Sequence, residues 1–575
     1  MARRLARRVA KPWPKLQDSE GRYAGNVRGF TRYGEAVLGY GLIDVGVREG
    51  GKRMVASGLK AVTFAVEEAP YQKAESTFEN LAVIRSYLVA RRKLARDHRF
   101  RRVRPRWEAF LRRVRLSRLP NTSFYGNHWL VEAVYVLELL RTDLRSGDSQ
   151  AILGGQRDRA RELATDLINR RLVALMENES VRSGGESTLL LSDPPENPLP
   201  YQSLSFGMYA RAVALLGPRA SSQARELLRR TANASWQLTA PDGDLGYWGR
   251  NQEQAFAQAY TDYGAQLVAD LPGSDRRQDR RYEALAQRAL TRLRSAYVGG
   301  RYGLYIVPVL RRGVSASSLS GLDRSAGVPS FTGLALMALN WSLDDAKRRR
   351  PKRSTLRADR NSASVLGTGS SRFATVRRGK TWFAVKAAPG PGRIRDLRFD
   401  FGLAALKRRV GESRWVDVVP LKPYTDALPD SAGPILDPGA RRALPFAQDI
   451  EAERGGTVRV TGGWRSARGA PVRTGARFRF QARGCGVRIS WPARRGDRFE
   501  LSTFFRKSLR RPGDQRVQAR RGGSNRPLCT PRPGDLRAPL RLGLGRKAHP
   551  SAPALRGPSA RRPHARDDLP ALRHR

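Results

Sequence analysis

The chain has 575 residues, 40% of them hydrophobic, with ten Trp and seventeen Tyr, enough apolar material for about two to four folded domains. Lysine and arginine (107) outnumber aspartate and glutamate (52), a formal net charge of +55 that draws polyanions to the surface. The excess is almost all arginine, with no lysine between Lys93 and Lys347, a bias that GC-rich coding also produces; no zinc-finger spacing, basic-zipper pattern or aromatic-and-basic RNA motif accompanies it, so a specific nucleic-acid partner is not expected.

Two cysteines, Cys485 and Cys529, lie far apart in dissimilar contexts, which argues against a disulfide framework or a thiolate metal site. No apolar run approaches the length of a membrane span. Met1 to Lys11 is a basic flank with no apolar stretch after it, so no export signal is read there, and residues 1–29 read as an N-terminal basic arm.

Residues 30–345 repeat a helical pattern. Apolar side chains recur at three- and four-residue spacing near 31–46, 51–67, 76–93, 127–142, 157–177, 203–217, 220–237, 252–269, 279–297 and 331–343, separated by Gly, Pro, Asn and Asp. Ten or more helices of similar length with short connections predict antiparallel hairpins packed in series. Residues 346–359, charged and proline-bearing, read as a linker. The period then changes to two: Phe373–Lys386 predicts a hairpin turning at Arg378-Gly379, and 396–401, 415–419, 457–461, 476–481 and 487–491 alternate like strands. Residues 360–505 therefore predict an antiparallel β-sandwich. Residues 506–575 hold no Phe, Tyr or Trp and are rich in Arg, Pro, Gly and Ala, which predicts a disordered tail or a slipped reading frame.

Five histidines occur in all, and only His98 and His128 precede the last third. His128 follows Asn127 at the start of a long apolar helix, so an imidazole and an amide project from one helix start. Two other segments carry comparable chemistry. Leu199-Pro-Tyr-Gln-Ser-Leu places Tyr201 and Gln202 at another helix start, and Tyr247-Trp-Gly-Arg-Asn-Gln-Glu-Gln254 is a loop of aromatic, amide and guanidinium groups. Abstraction of the weakly acidic proton beside a carboxylate needs donors that stabilise the developing enolate, a base for the proton, and an acid for the departing glycosidic oxygen. Asn127, His128, Tyr201 and Arg250 are the candidate catalytic residues on this reading. Trp129, Tyr247 and Trp248 are candidate sugar-stacking aromatics, and Gln202, Asn251 and Gln254 candidate polar contacts.

Helical hairpins followed by a sandwich, with the Asn127-His128 pair and Tyr201 in a Leu-x-Tyr helix start, resemble the α/α-toroid polysaccharide lyases, the alginate lyase and heparinase II/III-like group. The resemblance covers residues 30–505 in architecture. It implies that Asn127 neutralises the substrate carboxylate, that His128 is base or neutraliser, and that Tyr201 is the acid, or both acid and base if elimination is syn. It also implies an acidic, uronate-containing polysaccharide as substrate, met outside the cytoplasm or in the cell envelope, and no cofactor or metal. The sequence departs from the pattern at Asp193–Pro200, where an arginine is expected, and at Gln202, where a histidine is; Arg250 is the candidate for the missing charge. Two other functions fit the same scaffold. A glycoside hydrolase would need two carboxylates across the scissile bond, for which Asp242, Asp244 and Glu253 are the candidates. A non-catalytic binder of anionic glycan would need only the groove and its arginines.

Overall fold

A computed structural model describes residues 1–25, 32–67, 78–120, 125–142, 152–183, 186–193, 197–249, 251–273, 275–312, 327–345, 361–368, 372–387, 401–411, 414–419, 434–436, 443–466, 470–484, 486–492, 497 and 499–501. The expected linker, both cysteines and the expected tail lie outside these residues.

The first part of the chain is helical: α1 (Ala2–Ala10), α2 (Arg32–Glu49), α3 (Lys52–Glu67), α4 (Phe78–Lys93), α5 (His98–Arg112), α6 (Leu130–Leu140), α7 (Arg157–Asp166), α8 (Leu172–Glu177), α9 (Leu199–Leu216), α10 (Ser222–Leu238), α11 (Ala255–Val268), α12 (Arg276–Arg292) and α13 (Val328–Asp345). A short hairpin, β1 (Ser180–Ser183) with β2 (Glu186–Leu189), interrupts it. Residues 2–10, expected as a basic arm, instead form a helix that buries Leu5, Ala6, Val9 and Ala10 and packs on α2 and α13.

Two kinds of helix are present. In α9, α11 and α13 nearly every residue is buried, whereas α12 buries one stripe of Tyr282, Ala284, Leu285, Ala286, Ala289 and Leu290 and leaves Arg276, Arg277 and Arg280 exposed. A helix apolar on all sides belongs inside and one with a single stripe belongs on the flank. The contacts follow that rule: α2 packs on α4, α4 on α6, α6 on α9, α9 on α11, α11 on α13 and α13 on α2, while α3, α5, α10 and α12 pack on their flanks. Close approach comes from glycine. A Cβ at Gly333 of α13 would fall 2.5 Å from the Leu38 nitrogen of α2, and one at Gly207 of α9 would fall 2.5 Å from the Tyr260 ring of α11.

The six inner helices run in the same direction, as contacts at both ends show. Near their starts, Tyr33 meets Phe78, Tyr201 meets Phe256, and Phe256 meets Phe331, with ring centroids 5.6, 6.1 and 5.3 Å apart. Toward their ends a buried ionic cluster joins them. Arg85 and Arg211 hold Glu138 at 3.1 and 2.6 Å, Arg85 and Arg48 hold Asp344 at 2.8 Å each, and Arg211 and Tyr263 reach Asp345 at 3.1 and 3.0 Å. Burial alone would push the fully buried Glu138 carboxyl up, but Arg85, Arg211 and Arg141 overcome it and hold it well below the ordinary range.

The second part forms two antiparallel sheets. One is a meander of β3 (Asn361–Leu366), β4 (Phe373–Arg378), β5 (Thr381–Ala387), β6 (Phe401–Val410) and β7 (Arg414–Val419). The other has the order β12, β11, β10, β9, β8, β13, from β8 (Pro434–Leu436), β9 (Ala443–Glu453), β10 (Thr457–Ser466), β11 (Pro471–Arg483), β12 (Gly486–Ser490) and β13 (Phe499–Leu501). Phe383, Val385, Phe401 and Leu403 of the first sheet share a core with Trp464, Phe478 and Phe480 of the second, Phe401 and Phe478 lying 4.7 Å apart. The opposite face of the first sheet, with Phe373, Trp382, Ala384, Ala404 and Ala405, packs on Leu199, Leu238, Leu245, Tyr247 and Trp248 of the helical part. Every residue of β5 is thus buried, which is why that strand lacks a polar face.

Candidate functional site

The three segments singled out in the sequence converge at the starts of the inner helices. A π-helical turn, Tyr125–Trp129, opens α6 and packs against α9. Gly126 fixes that turn, since a Cβ there would lie 1.9 Å from the Ser192 carbonyl oxygen, on the segment leading into α9. Tyr125 Oη accepts from the Ser192 amide at 3.0 Å and donates to Glu179, whose carboxyl burial pushes up to about 7. Asn127 is buried, and its Oδ1 finds no hydrogen-bond partner among the described residues. His128 and Trp129 are half-buried.

The start of α9 is locked to the 249–254 loop. Leu199 N donates to the Trp248 carbonyl at 3.0 Å, and Gly249, at φ +91°, leaves so little room that a Cβ would lie 2.7 Å from Pro198 Cα. Pro200 is accommodated because a proline in the first turn gives up an amide that would have no intrahelical acceptor. Asn251 (φ 56°) and Glu253 (φ 58°) also occupy the left-handed region, so the loop concentrates backbone strain of the kind that accumulates at functional sites. Its geometry delivers Asn251 Nδ2 to within 2.6 Å of Tyr201 Oη. Gln254, fully buried, has neither amide atom paired among the described residues.

The structure therefore brings Tyr201 and Asn251 together, with Gln254 on the same loop and the Asn127-His128 turn on the neighbouring helix start. Three other expectations are corrected. Tyr247 and Trp248 do not line an open groove: both are buried in the seam against the first sheet, where Tyr247 donates to the Leu238 carbonyl at 3.0 Å and meets Trp382 edge-on at 5.4 Å, so neither offers a ring to a sugar. Gln202 is a strut, accepting from the Leu191 amide at 2.7 Å and donating to the Leu189 carbonyl at 3.4 Å, with 1% of its surface exposed. Arg250 lies outside the described residues.

The carboxylates considered for hydrolysis are occupied elsewhere. Lys407 on β6 lies 2.8 Å from Asp242, 2.9 Å from Asp244 and 2.7 Å from Asp417, and Arg292 on α12 holds Asp242 at 2.9 Å and Asp244 at 3.4 Å. Burial raises Asp242, but Lys407 and Arg292 outweigh it and leave its carboxyl below the ordinary range. Glu253 beside them is pushed up to about 8, first by burial and then by Asp244 and Asp417. These groups bind the two parts of the chain together. Asp262 is buried and accepts from the Ser342 hydroxyl of α13 at 3.3 Å. Among the described residues no helix is long and apolar enough to cross a membrane.

No protein-family model matches the chain, and no curated protein does. Several solved structures resemble it in backbone. The GH76A alpha-1,6-mannanase from Salegentibacter sp. HEL1_6 is 11% identical, with a TM-score of 0.37 over 60% of this chain and 99% of that one. A polysaccharide lyase is 11% identical, with a TM-score of 0.37 over 61% and 99%. A glycosyl hydrolase of family 88 from Bacteroides vulgatus is 13% identical, with a TM-score of 0.36 over 59% and 97%. Likeness at this level decides nothing about the reaction.

Proposed function

We propose that the helical part is a closed α/α toroid carrying a β-sandwich, and that the chain is a polysaccharide lyase that cleaves an acidic, uronate-containing glycan by β-elimination at the starts of the inner helices. The observation that carries this reading is the buried Tyr201–Asn251 pair at 2.6 Å, set in a strained loop with Gln254, whose amide has no partner among the described residues. An amide N–H aimed at a phenolic oxygen stabilises that oxygen when it loses its proton, so Tyr201 can accept the proton beside the uronate carboxylate and return it to the leaving oxygen on the same face. Asn127 supplies an amide to the carboxylate and the enolate that forms from it. His128 on the same turn is the second base. Converging helix starts add their positive dipole ends, which favour an anionic substrate.

Hydrolysis by Asp242 and Asp244 is the weaker reading, because both already neutralise Lys407 and Arg292. The test is ultraviolet absorbance of the unsaturated uronate product, with the full chain offered alginate, hyaluronan, chondroitin, heparan and polygalacturonate in turn. A rise that Tyr201→Phe abolishes supports elimination. Reducing ends without absorbance would replace it with hydrolysis, and saturable binding without product would replace it with a glycan-binding role.

A further inference from the structure

We infer that a second, basic cavity at the opposite end of the helical part binds a phosphorylated monosaccharide. The cavity has a volume of about 410 Å³ and lies where the ends of α2, α4 and α13 meet the start of α1. Four cations line it: Arg3, Arg48, Arg92 and Lys93. Two of them are compensated. Arg3 pairs with Glu49 at 2.5 Å, and Arg48 with Asp44 at 3.0 Å and Asp344 at 2.8 Å. Among the described residues no carboxylate pairs with Arg92 or Lys93, both exposed at the last turn of α4. Two positive charges thus face the cavity unneutralised.

Arg48 is held in the wall by its pairs with Asp44 and Asp344 and is not the group that a ligand would meet. Val47, Val89 and Leu343 complete the wall and lower the local dielectric, which strengthens any charge pairing there.

Size and charge narrow the ligand. Small-molecule sites span about 300–1,000 Å³, and this cavity falls at the small end, room for one sugar ring with its anionic group but not for an oligomer. Two uncompensated cations match a phosphate ester, which carries about −1.5 to −2 near neutral pH, better than a sulfate ester with its single charge. The site is separate from Tyr201 and does not depend on the elimination reading.

The experiment is isothermal titration of the full chain at low salt with glucose 6-phosphate, glucose 6-sulfate, inorganic phosphate and glucose. Saturable one-to-one binding of glucose 6-phosphate is expected, about tenfold tighter than the sulfate ester or inorganic phosphate, and none of glucose. Arg92→Ala with Lys93→Ala should weaken it at least about tenfold, while Arg101→Ala with Arg102→Ala, which removes the same charge from the exposed face of α5, should change it less than about twofold. Equal losses in the two double variants would reduce the effect to general attraction by a chain of charge +55 and overturn the site. Inorganic phosphate binding as tightly as the sugar ester would overturn the sugar, and absence of saturation would overturn both.

Discussion

Asn251 Nδ2 lies 2.6 Å from the phenolic oxygen of Tyr201, joining a left-handed loop residue to the first turn of a helix fifty positions earlier. Both side chains are buried, so the bond is made away from bulk water. If Tyr201 carries the proton, Tyr201→Phe should lower turnover by about 10²–10⁴. The same change removes the bond from the Asn251 amide and should cost about 0.5–1.5 kcal/mol of stability. Turnover on the reactive glycan and a urea titration on the same preparation check the two effects separately. Full activity in Tyr201→Phe with loss in His128→Ala would move the base to the histidine.

Lys407 is the second relationship with a sharp consequence. Its ammonium faces Asp242, Asp244 and Asp417 with 1% of its side chain exposed, so Lys407→Met leaves buried carboxylates short of a cation and should cost about 3–5 kcal/mol. The pH dependence follows from the lowered Asp242. A carboxyl whose folded value lies below its unfolded value, about 3.9, adds stability above that pH and loses it as the pH falls through the folded value. Urea midpoints of the unaltered protein should drop on acidification below about pH 4, and the drop should shrink in Lys407→Met. Identical acid profiles would separate Lys407 from the carboxylates.

The helices and most strands were legible: long apolar runs mark the inner helices α2, α4, α11 and α13, and a single apolar stripe marks the flanking α3, α10 and α12. Where arginine crowds the apolar stripe the pattern is harder to see. In α5 Phe100, Trp107, Phe110 and Leu111 are buried among arginines, and the helix begins at an Asp97 cap that accepts from Arg99 N at 2.9 Å, a signal present in the sequence but outweighed by charge. Tyr201, Asn127 and Asn251 were singled out by residue type, because proton abstraction asks for a phenol and amides, but nothing local in the chain sets Asn251 against Tyr201 fifty positions earlier. Tyr247 and Trp248 were misjudged because a glycine-rich aromatic loop looks the same whether it rims a groove or sits beneath a sheet. Nothing local in the chain pairs Asp244 with Lys407, 163 positions away.

Gly126→Ala tests the packing of the Asn127-His128 turn. A Cβ would stand 1.9 Å from the Ser192 carbonyl oxygen, which belongs to backbone and cannot swing aside. Overpacking of this kind typically costs about 1–3 kcal/mol, and the shift it forces displaces the turn from α9. Gly126→Ala should therefore lower the urea midpoint and abolish product formation together. Unchanged stability would show that the turn and the 191–193 segment do not touch as described.

Glu253 makes the opposite pH prediction from Asp242, and the two can be read in one titration series. Burial, with Asp244 and Asp417 nearby, pushes its carboxyl up to about 8, so at neutral pH the folded chain holds a proton that the unfolded chain has released. A carboxyl with a raised folded value contributes stability that is fully present below the unfolded value, about 4.3, and is lost as the pH rises through the folded one. Between those limits the unaltered protein should weaken steadily with rising pH. Glu253→Gln keeps the shape and removes the titration, so its urea midpoint should match the unaltered protein near pH 4 and exceed it increasingly up to pH 8 to about 9. Because Asn251 and Gln254 share this loop, turnover in Glu253→Gln should persist if the glutamate serves the seam alone, and a loss of turnover without loss of stability would instead place its proton in the reaction.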